Sequence, residues 1–263
     1  MTLATVFATA KAEGRAALIG YLPAGYPTVE QSTVLLKAMI DGGCDVVEVG
    51  VPYSDPVMDG PTIQAASTTA LEAGFRLRQV FDVVAAVADA GGKAVVMTYW
   101  NPVNRYGVRA YARDLVSAGG LGIITPDLIP DEAGEWIAAA DEHGLDRIFL
   151  VAPSSTEERI ARTASASRGF LYATSVMGVT GARAVVSGAA SELVARVRAH
   201  TDLPVGVGLG VRSGAQAAEV AGFADAVIVG SAFVSSAADG AEGVHALAVE
   251  LADGVRASAT AGC

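Results

Sequence analysis

Short apolar runs rich in Val and Ile recur along the 263-residue chain, at 17–22, 45–51, 94–98, 122–125, 147–151, 170–174, 205–209 and 226–229. Their hydrophobicity is continuous rather than alternating, which predicts strands covered on both faces, as in a parallel sheet. Between them, apolar residues fall at helical spacing over 29–40, 80–89, 110–117, 132–142, 191–198 and 215–220. Gly42-Gly43, Gly91-Gly92, Gly119-Gly120 and Gly144 stand where several of these helices should stop. A short helix is expected ahead of the first strand, and the small, polar residues 258–263 are expected to fray. Eight strands alternating with helices predict an α/β protein, a (β/α)8 TIM barrel formed as one domain over 1–263. The competing architecture is a doubly wound open sheet, but no Gly-x-Gly-x-x-Gly follows the first strand.

Composition narrows the partners. Hydrophobic residues make up 52% of the chain and charged ones 17%, so a large core can form. Lys and Arg total 18 against 28 Asp and Glu, a balance of 18 − 28 = −10, which argues against nucleic acid or an anionic membrane as a partner. Cys44 and Cys263 are the only cysteines and suggest no disulfide framework. The first 15 residues lack a signal-peptide pattern, and no uncharged apolar run reaches the ~18 residues of a membrane span, so a cytoplasmic protein is expected.

Barrel enzymes place their chemistry at the C-terminal ends of strands and in the loops that follow. After the second strand the chain reads Glu48-Val-Gly-Val-Pro-Tyr-Ser-Asp-Pro-Val-Met-Asp59-Gly-Pro61. Glu48 is a carboxylate in an otherwise apolar strand, on the face it shares with Val46 and Gly50. Such a group is either a core carboxylate satisfied by backbone or Arg, or a catalytic one. Asp59 and Asp55 lie in a Pro- and Gly-bounded loop, where turn and capping roles compete with function. Glycines gather in the last three strand-end loops, as Gly178-Val-Thr-Gly181, Gly206-Val-Gly-Leu-Gly210 and Gly230-Ser231. Each alone could be a turn; together, at matching barrel positions, they point to phosphate held on backbone N–H groups and a serine hydroxyl. The lysines, Lys11, Lys37 and Lys93, offer no Schiff-base candidate at a strand end. His143, His200 and His245 fall on helices or helix ends, so no metal cluster is expected. Carboxylate acid–base chemistry on a phosphorylated substrate, without a cofactor in this chain, is what remains.

The run from Glu48 to Gln64 strongly resembles the signature of the tryptophan synthase alpha chain family. The similarity continues at Tyr99-Trp-Asn-Pro102 with Tyr106-Gly107, at Pro126-Asp-Leu-Ile-Pro130, at Gly178–Gly181, at Gly208-Leu-Gly210 and at Gly230-Ser231, and so spans nearly the whole chain. The resemblance implies retro-aldol cleavage of indole-3-glycerol phosphate to indole and glyceraldehyde 3-phosphate. It implies Glu48 as general acid and base, Asp59 as hydrogen-bond partner of the indole N–H, and Tyr172 beside the glycerol portion. Tyr21 then packs near the indole. Thr180 and Gly181 lie in a loop that closes over the site, and Gly181, Gly210, Gly230 and Ser231 hold the phosphate. It also implies a beta chain as partner in an αββα heterotetramer, with pyridoxal phosphate on that chain and indole passing between the sites. Asp55, Pro56, Asn101 and Asn104 would face the partner. The chain departs from the family pattern at Val176, where many relatives carry an arginine, and at Met58, where a small residue is common. A stand-alone indole-glycerol-phosphate lyase, a weakly active subunit that mainly activates its partner, and another phosphate-binding barrel such as an isomerase of the same pathway remain the alternatives.

Overall fold

The computed structural model describes residues 2–174 and 188–260. Among the described residues nine parallel strands form one sheet: β1 (Ala17–Pro23), β2 (Val46–Gly50), β3 (Ala94–Met97), β4 (Gly122–Ile124), β5 (Asp146–Ile148), β6 (Leu150–Val151), β7 (Leu171–Thr174), β8 (Val205–Gly208) and β9 (Ala226–Val229). Their order is β5-β4-β3-β2-β1-β9-β8-β7-β6. Only Phe149 separates β5 from β6, so the two ends of that order are one continuous stretch of chain and the sheet closes into a barrel there. The single strand expected over 147–151 is thus two, because its first half pairs with β4 and its second half with β7. The seam is held by backbone bonds: Thr125 N donates to Ile148 O at 3.3 Å and Tyr172 N donates to Phe149 O at 3.1 Å.

Helices α2 (Val29–Asp41), α4 (Gln79–Asp89), α6 (Val108–Ser117), α7 (Gly134–His143), α9 (Gly188–Arg198) and α10 (Gly214–Ala221) fall where the apolar spacing places them. Gly144 closes α7 in the left-handed conformation, as a stop glycine should. The spacing did not single out α3 (Pro61–Glu72), α5 (Trp100–Tyr106), α8 (Glu157–Ala166), α11 (Ser231–Ser236) or α12 (Gly240–Thr260). In α3 the buried face is built of Ile63, Ala66, Ser67 and Ala70, small residues that make a weak stripe. In α8 the signal lies in the cap instead, where the Thr156 hydroxyl accepts from Arg159 N. Helix α12 continues to Thr260, and residues 261–263 of the tail expected to fray lie outside the described residues.

Two apolar layers follow from this geometry. The larger lies between the sheet and the helices. The smaller fills the barrel with Ala17, Ile19, Val46, Val95, Ile124, Ile148, Phe170, Ala226 and Ile228, and it continues into Leu3, Val6, Phe7 and Ala10 of α1 (Leu3–Ala12). Helix α1 therefore plugs the N-terminal end of the barrel, with the Phe7 ring 5.5 Å from that of Phe170. A closed floor leaves the C-terminal mouth as the place where side chains meet solvent. No helix among the described residues is long and apolar enough to cross a membrane.

Phe7 is 6% exposed, so Phe7→Ala should cost about 3–5 kcal/mol as a cavity opens beneath the barrel. Urea unfolding measures it; a wild-type midpoint would mean that α1 is not part of the barrel core.

Candidate active site

Glu48 sits in the middle of β2, level with Tyr21 of β1 and Val95 of β3. Val46, two residues earlier on the same face, belongs to the barrel interior, so Glu48 occupies the next layer toward the mouth. Its side chain is 1% exposed, and Oε2 is buried with no hydrogen-bond partner. Desolvation and then the neighbouring Asp59 push its pKa from the ordinary 4.5 up to about 8. The sequence left open a carboxylate satisfied by backbone or Arg; the orphaned oxygen, with no Arg contact among the described residues, weighs against that. At neutral pH the group is mainly a carboxylic acid.

Two tyrosines, Tyr21 of the adjacent β1 and Tyr172 of β7, share a cavity with this acid, and two glycines make room for them. A Cβ on Gly50 would collide with the Tyr21 phenol, and one on Gly208 would collide with that of Tyr172. Gly206 likewise makes room for Phe170 and Ile228. Gly206 and Gly208, counted with the glycines of the expected phosphate site, lie on β8 and make room for neighbouring rings, and Gly208 also lines that cavity. Burial raises both tyrosine pKa values well above the ordinary range, with Asp59 and Glu48 adding to the effect at both, so the phenols remain protonated donors.

Asp59 ends the loop after β2, just before the Gly60 cap and Pro61, the first residue of α3. It is 9% exposed, and its Oδ1 accepts from the Tyr99 hydroxyl at 3.2 Å. The same hydroxyl accepts from Met58 N at 3.0 Å, and Gln64 Nε2 donates to the Asp59 carbonyl at 2.7 Å. Burial raises the Asp59 pKa, while the Tyr99 bond pulls the other way. Tyr99 was read only as part of a motif; its place directly after β3, at a strand end, was the signal that it belongs to the site.

These groups line a narrow cavity of about 70 Å³ at the barrel mouth. Tyr21, Glu48, Asp59 and Tyr172 form its polar wall, with Ile63, Met97, Leu150, Leu209 and Ile228 opposite. Gly210, Gly230 and Ser231 complete the rim. Gly210 has φ of 70°, a conformation that favours glycine, and Gly230 caps α11, whose first residue is Ser231. Among the described lining residues there is no Lys or Arg, so an anion there would rest on N–H and O–H groups. A larger cavity of about 390 Å³ adjoins it, sharing Met58, Leu150 and Thr174, but it lacks the buried carboxyl pair. Among the described residues no His, Cys, Asp and Glu cluster is placed to hold a metal ion.

Thr180 and Gly181, with Val176 and Met177, lie outside the described residues. Asp55, Asn101 and Asn104 are exposed, Pro56 is half-buried, and neighbouring Val57 is 67% exposed. Asn101 Nδ2 donates to the Tyr53 hydroxyl at 3.2 Å, which ties the two expected partner-facing segments together.

A family model described as the tryptophan synthase alpha chain matches residues 7–260. The tryptophan synthase alpha chain of Nocardia farcinica is 66% identical over 259 residues, covering 98% of this chain and 97% of that one. That of Mycobacterium marinum is 64% identical over 254 residues, covering 97% and 94%. A solved structure of Mycobacterium tuberculosis tryptophan synthase superposes with a TM-score of 0.94 at 63% identity, covering 97% of this chain and 98% of that one.

The buried acid has a consequence for stability. Its folded pKa lies above the unfolded value, so its contribution is fully present below about 4.5 and is lost as pH rises to about 8. Glu48→Gln should match wild-type stability near pH 4 and exceed it by roughly 3–5 kcal/mol above pH 8. Equal unfolding free energies for the two proteins at both pH values would refute the raised pKa.

Proposed function

The chain belongs to the tryptophan synthase alpha chain family, whose members cleave indole-3-glycerol phosphate to indole, and we propose how its residues divide that work. The observation that carries the assignment is Glu48, a protonated carboxyl with an unpartnered oxygen in a cavity it shares with Asp59.

Cleavage needs a proton delivered to indole C3 and another removed from the glycerol hydroxyl beside the breaking C–C bond. A carboxyl with a pKa of about 8 holds the first proton at neutral pH. Once that proton is given up, the resulting carboxylate is a base strong enough to take the second. Glu48 thus ends as it began, and the chemistry needs no second titrating group. Protonation at C3 leaves positive charge on the indole ring, and the Asp59 carboxylate accepts from the N–H to stabilise it. Tyr21 packs on the indole, and Tyr172 donates toward the glycerol hydroxyls. Gly210, Gly230 and Ser231, with Thr180 and Gly181 from the loop outside the described residues, receive the phosphate and close the site.

We assign a tryptophan synthase beta chain as the partner, in an αββα assembly, with pyridoxal phosphate carried by that chain. Asp55, Pro56, Asn101 and Asn104 form the docking surface; the exposure of Asp55, Asn101 and Asn104 and the Asn101–Tyr53 bond support it. A cytoplasmic location fits a biosynthetic subunit of this family.

The test is indole release from indole-3-glycerol phosphate by the purified chain, alone and with beta chain. Glu48→Gln should lower kcat by about 10²–10⁴-fold, and near-wild-type turnover would remove Glu48 from the mechanism. Ser231→Ala should raise KM about threefold to tenfold with kcat little changed, as expected for a lost contact that is equally strong in ground and transition states. A collapse of kcat at constant KM would exclude the phosphate role.

A further inference from the structure

Asp59 has to be ionised to stabilise a charged indole ring, yet its burial favours the neutral acid. The titratable groups facing it are Glu48 from β2, Tyr21 from β1, Tyr172 from β7 and Tyr99 after β3. Burial works against ionisation, and no Lys or Arg lies among the described residues of the cavity wall. What favours the charge is the bond from the Tyr99 hydroxyl to Oδ1, at 3.2 Å.

That hydroxyl has a fixed direction. It accepts from Met58 N at 3.0 Å, so its own hydrogen is left to point at Asp59. The ring is 5% exposed and lies against Tyr53, with centroids 5.2 Å apart. Tyr99 does not line the cavity itself and meets it through Asp59.

We propose that Tyr99 is a positioning residue that holds the Asp59 carboxylate ionised and oriented for the reacting indole. Its donated bond is strongest to the charged form, so it resists protonation of Asp59 as the pH falls. The Met58 bond makes the same hydroxyl a brace between the chain just before Asp59 and its side chain. The proposal rests on the role given to Asp59 above and adds the group that makes the role available.

The test is the pH dependence of kcat/KM for indole release by the alpha chain assembled with its beta chain. Tyr99→Phe keeps the ring against Tyr53 and removes only the hydroxyl. It should lower kcat/KM about tenfold near neutrality and move the acidic limb of the profile to higher pH. In an Asp59→Asn background the same substitution should add no further loss. An unmoved acidic limb, or an equal loss in the Asp59→Asn background, overturns the proposal. Fluorotyrosine at position 99 is a stronger donor of nearly the same size and should move the limb the other way, which keeps the test decisive if Tyr99→Phe folds poorly. Carboxyl 13C titration of Asp59 in the free chain reports the same shift without turnover. A chain that releases no indole but shows the Tyr99-dependent shift would therefore refute the functional reading alone.

Discussion

The structure turns on one uncompensated burial. A carboxyl placed inside a barrel with an oxygen bonded to nothing is something that folding alone would remove, because a leucine or valine would pack there without the desolvation penalty. The barrel tolerates it by keeping the group neutral, at a pKa of about 8. Everything around Glu48 is consistent with that choice: apolar side chains on one wall, protonated phenols on the other, and no described cation close enough to draw out the proton. An arginine in the same wall would make a better-satisfied core and a poorer acid.

The floor and the mouth of the barrel are coupled through this layer. Helix α1 closes the floor with Phe7 on Phe170, and the layers above it end at Tyr21, Glu48 and Tyr172. Those large side chains fit only because Gly50 and Gly208 yield their side-chain volume to the tyrosines of adjacent strands. The pairing is reciprocal across the ring, with β1 leaning over β2 and β7 leaning over β8. A methyl group at either glycine would push a phenol off the acid it shields, so packing and chemistry are set by the same contact.

How much of this was legible beforehand depended on whether the signal was local. Continuous apolar runs marked eight strand passages because both faces of each strand are covered, and Glu48 stood out as the carboxylate that interrupts one of them. The split at Phe149 was invisible, since it arises from the ring closing and not from any residue in 147–151. The packing role of Gly206 and Gly208 was not legible, because spacing does not show that a glycine yields to a neighbour's ring. Asp59 could not be separated from a turn aspartate without its motif, because the Tyr99 hydroxyl that defines its environment lies 40 residues away. Helices α3 and α8 escaped because their buried stripes are small; the start of α3 is marked by Pro61 and that of α8 by the Thr156 cap instead of periodicity.

Two carboxyls within one cavity would normally be expected to share a proton and one fate. Here burial raises the pKa of both, but only Asp59 has a donor that offsets the rise. Glu48 has an orphaned oxygen and is held protonated; Asp59 has a phenol aimed at it and a partly offset burial. The asymmetry is what a retro-aldol cleavage of an indole requires, since a proton must be given at one carbon while a fixed negative charge waits at the ring nitrogen. Exchanging the environments, with the donor on Glu48 and none on Asp59, would leave the same residues in the same barrel with neither group in its working form. In the proposed mechanism the division of labour therefore resides less in the two acids than in the single hydroxyl that distinguishes them.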